Sequence, residues 1–198
     1  MPGYAHREAQ ASLEEVDMKR CALLVIDELG DAETSPVAAR ILEPTLNTAR
    51  ICDAAREVGV PVIFANDAHI KGLDRELDLW GDHNLAGAPE SQTSPQLKLR
   101  EGDFVIEKRR YSAFFQTSLR LLLDELGVDT LILCGFDTNI CVRHTAADAY
   151  FNNYRLFVVA DATETFLIGD QQKGLEYMEK CYAAKTITTE EALSALRA

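Results

Sequence analysis

Short apolar runs alternate along this chain with longer segments whose apolar residues recur at helical spacing. Runs rich in valine, isoleucine and leucine are typical of strands buried on both faces, as in parallel sheets covered by helices. The pattern therefore predicts a doubly wound, mostly parallel α/β fold. The predicted strands are Cys21 to Ile26, Val60 to Ala65, Phe104 to Glu107, Thr130 to Leu133, Arg155 to Ala160 and a short one around Thr186, and the predicted helices are Ala49 to Val58, Thr117 to Leu126, one after Cys141, Gln171 to Tyr182 and one from Glu190.

Two segments fall outside this rhythm. The connection from Asp67 to Gly102 mixes Gly, Pro, Asp and His and is far longer than a usual strand-to-helix loop, which favours a functional role. Residues 1–18 are polar and weakly patterned, so we expect an N-terminal arm that packs on a neighbour or is partly disordered. Residues 19–198 are then one domain, large enough to bury a core without disulfides or metals.

Charge and cysteine usage narrow the possible partners. The 198 residues carry 20 basic and 32 acidic side chains, and the net charge of −12 opposes binding to nucleic acid or to an anionic membrane. A small-molecule partner is expected instead. The five cysteines include no CxxC pair, which indicates reduced thiols and a cytoplasmic location. Neither a secretory signal nor an apolar run of membrane-spanning length is visible.

The segment from Cys134 to Val142 places a thiol, Cys141, just past an apolar strand where a new helix begins, with Thr138 or Asn139 as the expected cap. Unpaired amides and the positive end of the helix dipole would stabilise a thiolate there and could hold an oxyanion. Most free cysteines are small buried hydrophobes, however. This turn alone leaves both interpretations open.

Polar residues that follow the other strands favour the catalytic interpretation. The first three strands end at Asp27, at Asp67 and at Lys108, and in an open parallel sheet these ends meet at one edge. A thiol with a reference pKa of about 8.5 needs a proton acceptor or a nearby cation to attack at neutral pH. Asp27 can accept the proton, and Lys108 can balance the charge. Taken singly, Asp27 reads as a turn residue and Lys108 as a surface lysine.

The long connection also contains a possible metal site. Asp67 and His69 are followed fourteen residues later by His83, and two histidines with one carboxylate can hold a metal while leaving open positions. Taken alone, the Asp-x-His pair is a weak signal, since loops are rich in both residues. Asp74 and Asp82 are nearby carboxylates that could compete as ligands, although solvated side chains are the plainer expectation.

Four segments in this order resemble the isochorismatase-like cysteine hydrolases, a family that includes nicotinamidases and other small-amide hydrolases. They are Leu23-Leu-Val-Ile-Asp27, Lys108-Arg-Arg-Tyr-Ser-Ala-Phe-Phe115, Gly135-Phe-Asp-Thr-Asn-Ile-Cys-Val142 and Thr145-Ala-Ala-Asp-Ala149. The resemblance covers roughly residues 20–165. It implies a Rossmann-like three-layer α/β/α fold and an Asp27, Lys108 and Cys141 triad. It further implies a cis peptide between Phe136 and Asp137 that directs the amides of Asp137 and Cys141 at the oxyanion.

The Asp-x-His pair and a histidine three residues after Trp80 narrow the resemblance to nicotinamidases. That branch implies that Asp67, His69 and His83 bind Zn²⁺, Fe²⁺ or Mn²⁺, without an organic cofactor, and that Trp80 stacks on the substrate ring. The plainer interpretation of Trp80 is a packing residue. The implied reaction converts a small carboxamide, nicotinamide foremost, to acid and ammonia through a thioester. Family members are commonly dimers or tetramers, so a homo-oligomer is expected.

Two positions depart from the family pattern. The first motif usually reads DxQxDF, whereas Ala32 stands here in place of the aromatic residue, so one expected wall of a nicotinamide pocket is missing. Asp137 replaces a small or apolar residue beside the expected oxyanion amides, where its charge would repel the developing anion. Either the Asp137 side chain points away or the substrate differs.

Alternative functions remain open at this point. An isochorismatase-type vinyl ether cleavage would need neither metal nor thiol, and a hydrolase of carbamoyl or ureido amides fits the missing wall at Ala32. A non-catalytic α/β binding module is the alternative from a different class. No GxGxxG follows the first strand, and Gly169 and Gly174 have P-loop spacing but precede Leu175 rather than lysine. The three triad residues favour an enzyme.

Overall fold

The computed structural model describes residues 12–198. Its centre is a six-stranded, all-parallel sheet in the order β3-β2-β1-β4-β5-β6, which confirms the predicted fold class. The chain builds outward from β1 in one direction and then returns to add β4 on its other side, so the sheet has a switch point between β1 and β4, where ligands bind in folds of this class. The strands are β1 Cys21–Ile26, β2 Val62–Asp67, β3 Phe104–Lys108, β4 Thr130–Phe136, β5 Arg155–Glu164 and β6 Lys185–Ile187.

Helices cover both faces of the sheet. Successive side chains of β1 alternate between two cores, so Leu23 joins the core under α1 and α6 while Leu24 joins the core under α3, α4 and α5. Because both faces are buried, the strand reads as a continuous apolar run. The helices are α1 Ala38–Glu57, α2 Arg75–Trp80, α3 Leu119–Glu125, α4 Arg143–Phe151, α5 Gln171–Tyr182 and α6 Thr189–Arg197.

The largest differences from the predicted elements concern α1 and α2. Helix α1 begins at Ala38 rather than Ala49, and the buried face of its first half carries Thr45 and Thr48 beside Ile41, so its apolar periodicity is weak. Helix α2 lies inside the long connection and was not predicted. Both β4 and β5 run further toward the carboxyl edge of the sheet than predicted, β4 to Phe136 and β5 to the polar residue Glu164.

Part of the predicted arm, residues 1–11, lies outside the described residues. Of the remainder, Leu13 and Val16 are buried in the core under α1 and α6, and Ser194 of α6 donates to Glu14. These residues pack on their own domain. All five cysteines are free thiols, and no helix among residues 12–198 is long and apolar enough to cross a membrane.

Candidate active site

The turn that carries Cys141 depends on a glycine at the end of β4. Gly135 has a φ of 114°, and a Cβ at this position would lie 1.9 Å from the carbonyl oxygen of Ile26 on β1. No other residue fits so close a backbone approach. The pairing of β4 with β5 also shifts register between Leu133 and Gly135. The strand end is therefore bent, and the following turn enters the edge of the sheet beside β1.

Residues Thr138–Val142 form one π-helical turn that leads directly into α4. Such turns inside helices are frequent at functional sites. Asp137 caps the turn, because its side chain accepts a hydrogen bond of 2.9 Å from the amide of Asn139. The expectation that Thr138 or Asn139 is the cap was wrong: the sequence pattern did not show that the carboxylate one residue earlier reaches the first free amide.

The expected cis peptide between Phe136 and Asp137 is also wrong for this structure. The described residues contain no cis peptide bond, and Asp137 has an ordinary extended backbone with φ −75° and ψ 138°. A trans peptide is the lower-energy state for a non-proline bond. Here the unusual backbone conformation lies at Gly135 instead, where glycine tolerates it.

The Asp137 carboxylate is held by four hydrogen-bond donors. Besides Asn139, it accepts from Thr165 Oγ1 at 2.6 Å and from the amides of Phe166 at 2.7 Å and Leu167 at 2.9 Å. The side chain is buried and its charge is met by N–H and O–H groups of the loop after β5. This arrangement accounts for a carboxylate beside the nucleophile turn.

Asp27, Asp67 and Lys108 meet at the carboxyl ends of β1, β2 and β3. Lys108 Nζ lies 2.7 Å from Asp27 Oδ2 and forms a second ion pair with Asp67, and its side chain is 0% exposed. Asp27 has a φ of 51° and accepts a 2.8 Å hydrogen bond from the amide of Asp67. The Cys141 thiol and one carboxylate oxygen of each aspartate lie within 4.8 Å of one another. The structure thus brings the three predicted triad residues together.

Burial and charge act against each other in this group. Burial and the neighbouring Asp67 raise the pKa of Asp27 to about 6, although Lys108 and the Cys141 thiol lower it. Burial raises the pKa of Asp67, but Lys108 and His69 together lower it by more, and the pKa ends below its usual range. Burial would lower the pKa of Lys108, yet Asp27, Cys141 and Asp67 raise it well above its usual range. At neutral pH the lysine is therefore charged and balances the two carboxylates.

The Cys141 thiol does not behave as the expected stabilised thiolate. Burial raises the pKa of Cys141 well above its usual value, and Asp27 adds to the rise, while Lys108 lowers it. The resting group is a thiol beside a carboxylate. A thiolate would form only as its proton moves to Asp27, with Lys108 offsetting the charge.

The predicted metal-ligating residues also converge. Ligand atoms of Asp67, His69 and His83 lie within 4.8 Å of one another. His69 is buried, and neither of its ring nitrogens has a hydrogen-bond partner among the described residues. His83 Nδ1 lies 2.8 Å from the carbonyl oxygen of Gly81, which leaves Nε2 as the acceptor. Buried imidazole nitrogens without partners, beside a carboxylate and a second imidazole, fit a divalent transition metal.

The competing carboxylates are occupied elsewhere. Asp74 is buried and accepts from Arg109 Nε at 3.0 Å and from the amide of Ile70 at 2.7 Å. It is therefore not the solvated side chain that the sequence suggested. Asp82 forms an exposed ion pair with Lys71.

A cavity of about 340 Å³ opens over Cys141. Trp80 lines it and is 40% exposed, and its Nε1 donates a 2.9 Å hydrogen bond to Tyr111 Oη. Ala32 does not reach the cavity: it is buried in a small core with Ile41 and Phe136. The lining is otherwise largely apolar, formed by Leu29, Val37, Ile41, Phe136, Ile140, Phe166 and Leu167.

Glu76 was not identified from the sequence, although it lines the same cavity. Its side chain is buried, its Oε2 has no hydrogen-bond partner among the described residues, and burial, followed by the charge of Asp67, raises its pKa to about 7. Glu76 precedes Trp80 by one helical turn, so both lie on one face of α2. That spacing was the available signal, but it has meaning only once α2 is known.

Comparison with known proteins agrees with this fold. Residues 21–191 match the family model described as an isochorismatase domain. Nicotinamidase 3 of Arabidopsis thaliana is 34% identical over 171 residues, covering 84% of each chain. The phenazine biosynthesis protein PhzD of Pseudomonas fluorescens is 34% identical over 189 residues, covering 90% of this chain and 87% of the relative. The chain therefore belongs to the isochorismatase family and has the fold of its hydrolases.

Solved structures show the same likeness. An N-carbamoylsarcosine amidase from Thermoplasma acidophilum superposes with a TM-score of 0.80 at 32% identity, covering 86% of this chain and 97% of that one. A pyrazinamidase/nicotinamidase from Streptococcus mutans gives a TM-score of 0.77 at 29% identity, covering 84% and 99%. Because these relatives act on different small molecules, the family alone does not identify the substrate.

Proposed function

We propose that this protein is a cysteine-dependent amidohydrolase that acts on a small, uncharged carboxamide, with nicotinamide as the leading substrate. The observation that carries the proposal is the charge of the cavity wall. Among residues 12–198, no lysine or arginine lines the cavity, whereas Asp27, Asp67, Glu76 and Asp137 do. A carboxylate substrate would find no lysine or arginine partner in this lining and would face like charges.

This charge pattern separates the alternatives. Isochorismate, N-carbamoylsarcosine and ureidoacrylate all carry carboxylates, so their recognition calls for a cationic or amide-rich subsite. A neutral aromatic amide needs an apolar slot beside a few polar groups, and the cavity offers Trp80, Phe136 and Phe166 as aromatic walls. These features favour nicotinamide over the diacid substrate of an isochorismatase.

The proposed reaction begins with a proton transfer from Cys141 Sγ to Asp27. As the proton moves, the sulfur adds to the amide carbonyl, and backbone amides of the nucleophile turn, those of Asp137 and Cys141, stabilise the oxyanion. Asp27 then returns the proton to the amide nitrogen, the C–N bond breaks and ammonia leaves. Asp27 next accepts a proton from water, and the water oxygen adds to the thioester carbonyl. The C–S bond then breaks, Asp27 returns the proton to the sulfur, and the acid leaves.

Lys108 offsets part of the negative charge throughout this cycle. It pairs with Asp27 and Asp67 at rest. When Asp27 is protonated and the sulfur is anionic, the same ammonium faces the sulfur without any movement of the side chain.

Asp67, His69 and His83 would hold a divalent transition metal beside the cavity. When bound, Zn²⁺, Fe²⁺ or Mn²⁺ would supply a Lewis acid that can bind a ring nitrogen of the substrate or a water. The ring nitrogens of His69 lie 3.7 Å from Asp67 Oδ2 and 3.5 Å from Asp74 Oδ2 without forming a hydrogen bond, so His69 would thereby gain a ligand contact. We further propose a cytoplasmic enzyme, in keeping with five free thiols, and a homo-oligomer, in keeping with the family resemblance.

Ammonia release from nicotinamide by the purified protein tests the proposal. We expect turnover by the metal-loaded wild type, loss of turnover in Cys141→Ala, and a strong decrease after chelation that added Zn²⁺ or Mn²⁺ reverses. Pyrazinamide, an uncharged carbamoyl amide and isochorismate serve as comparison substrates. Hydrolysis of isochorismate with full activity in Cys141→Ala would contradict the proposal. Turnover of the carbamoyl amide alone would retain the mechanism and replace the substrate.

A further inference from the structure

We propose that Phe166 determines substrate specificity by forming the aromatic wall opposite the nucleophile turn, and that Asp137 positions it. The inference rests on the proposed function for the chemistry at Cys141, but the contacts of Phe166 are independent of that chemistry. The sequence predicted no role for Phe166, and for Asp137 it predicted a role only for the backbone amide, not for the side chain.

Phe166 supplies an aromatic ring to the cavity beside the small core that contains Ala32. Its ring packs edge-on against Phe136, with centroids 6.0 Å apart and an interplanar angle of 66°. It also packs on the small core that contains Ala32 and Ile41, and it lines the cavity together with Cys141. A small alanine in that core leaves room for an aromatic ring that arrives from a different segment of the chain.

The loop that carries Phe166 is tied to the nucleophile turn through Asp137. Of its two carboxylate oxygens, Oδ1 accepts from Thr165 Oγ1 and Oδ2 accepts from the amides of Phe166 and Leu167. These bonds are short and charge-assisted, and they involve the backbone of Phe166 itself. The ring position therefore depends directly on the carboxylate.

Asn139 reinforces the same attachment from inside the π-helical turn. Its Nδ2 donates to the carbonyl oxygen of Ile168 at 2.9 Å and to Thr165 Oγ1 at 3.1 Å. Gly169 and Gly174 lie against this side chain, where added Cβ atoms would come within 2.8 Å and 2.2 Å of it. The spacing of these glycines thus reflects close packing around Asn139 rather than a phosphate-binding loop.

The two departures from the family pattern are consequently coupled. Ala32 removes one aromatic wall, and Asp137 fixes a loop that brings another, Phe166, to the cavity. The Asp137 carboxylate is tolerated beside the nucleophile turn because the amides of Phe166 and Leu167 donate hydrogen bonds to it. Substrate selection would then reside partly in the segment after β5.

Ring binding provides a test that does not depend on turnover. Trp80 is the only tryptophan and lines the cavity, so its fluorescence reports occupancy by an aromatic amide. In a Cys141→Ala background we would titrate benzamide and nicotinamide into Phe166→Ala, Phe166→Leu and the matched control Phe104→Ala, a half-buried phenylalanine of β3 that does not line this cavity. We expect affinity to fall about tenfold in Phe166→Ala, less in Phe166→Leu, and to be unchanged in the control.

Asp137→Asn tests the positioning role. Asparagine places an NH₂ group where one oxygen accepted two bonds, so the loop should shift and ring affinity should fall as in Phe166→Ala. If Asp137 acts through Phe166, the double variant Asp137→Asn/Phe166→Ala should bind the aromatic amide about as tightly as whichever single variant has the lower affinity. Purely additive losses would overturn the positioning role, and thermal unfolding of each variant would show whether it folds.

The outcomes separate this proposal from the proposed function. Phe166-dependent ring binding in a wild-type protein that hydrolyses no amide would support the wall and refute the reaction. Unchanged ring affinity in a folded Phe166→Ala protein would overturn the wall whatever the wild type hydrolyses. With an active wild type, Phe166→Ala should raise KM for nicotinamide about tenfold with a smaller change in kcat.

Discussion

Cys134 and Cys141 are both buried thiols near the end of β4, but they lie on opposite faces of the sheet. Cys134 belongs to the core under α1 and α6, and Cys141 to the core under α3, α4 and α5. Burial raises the pKa of each well above its usual value. Cys141 also faces Lys108 and Asp27, whereas Cys134 faces Glu28, Cys52 and the hydroxyl of Thr48. The comparison teaches that exposure and burial do not separate the two thiols; a cation and a proton acceptor do.

The neighbouring carboxyl groups Asp27 and Glu28 repeat this contrast. Lys108 limits the rise in the pKa of Asp27, which reaches about 6. Burial raises the pKa of Glu28 to about 8, and only hydroxyls such as that of Thr48 oppose the rise. Glu28 is 2% exposed, and its Oε2 has no hydrogen-bond partner among residues 12–198. At neutral pH it is therefore mostly protonated, whereas Asp27 is mostly ionised.

The largest expected effect is the difference between Cys141→Ala and Cys134→Ala. Removing the proposed nucleophile should lower kcat for the amide by about 10⁴-fold or more, because no other group can form the thioester. Cys134→Ala should retain activity within severalfold and lose about 1–2 kcal/mol of unfolding free energy from the cavity it leaves. Steady-state kinetics and urea unfolding measure both. If both variants fold and lose kcat to a similar extent, the proposed difference in role between Cys141 and Cys134 is wrong.

Lys108→Met removes the cation that lies beside Asp27 and Cys141 and that Glu28 and Cys134 lack. Two buried carboxyl groups would then repel each other without compensation, and we expect a loss of about 3–5 kcal/mol in unfolding free energy together with activity. The loss should shrink at acid pH, where the carboxyl groups take up protons. Lys71→Met, on an exposed ion pair, is the matched control and should leave stability nearly unchanged. A pH-independent loss in Lys108→Met would argue against carboxylate repulsion.

Glu28→Gln removes the buried carboxyl group that has no lysine partner. The pKa of Glu28 is about 8 in the folded protein against 4.5 unfolded, so the folded state binds the extra proton. Its contribution to stability is full below about pH 4.5 and is lost as pH rises through about 8. The wild type should thus lose up to ~1.4 kcal/mol per pH unit relative to Glu28→Gln in this window. Urea unfolding from pH 5 to 9 measures the slope; parallel curves for the two proteins would show that Glu28 is ionised throughout.

The strand ends were the most predictable part of the site. Continuous apolar runs identify parallel strands, and parallel strands deliver their last residues to one edge, so Asp27, Lys108 and Cys141 could be grouped without coordinates. The same logic placed Asp67 beside them. His69 and His83 gave only a weak metal-site signal on their own, and Trp80 was named only because of the family resemblance, since no periodic pattern positions residues of a long loop.

What the sequence did not show depends on contacts between distant segments. Asp137 is joined to Phe166, about thirty residues later, by a hydrogen bond that no local pattern encodes. Glu76 is oriented by the short helix α2, whose six residues are too few for a clear periodicity. The cis peptide between Phe136 and Asp137 was expected only from the family motif. The described residues contain no cis bond, and the unusual backbone angle lies at Gly135, whose φ is positive.

The acidic wall of the cavity has a consequence for the end of the catalytic cycle. Under the proposed reaction a neutral guest becomes an anion inside a chamber with several carboxyl groups and no arginine or lysine in its lining among residues 12–198. Coulombic repulsion then drives the newly made acid outward, and the overall charge of −12 discourages its return. In the metal-free protein, nicotinate should consequently bind more weakly than nicotinamide. The carboxyl groups of the cavity would thus favour release of the product over its return, because the reaction converts a neutral substrate into an anion.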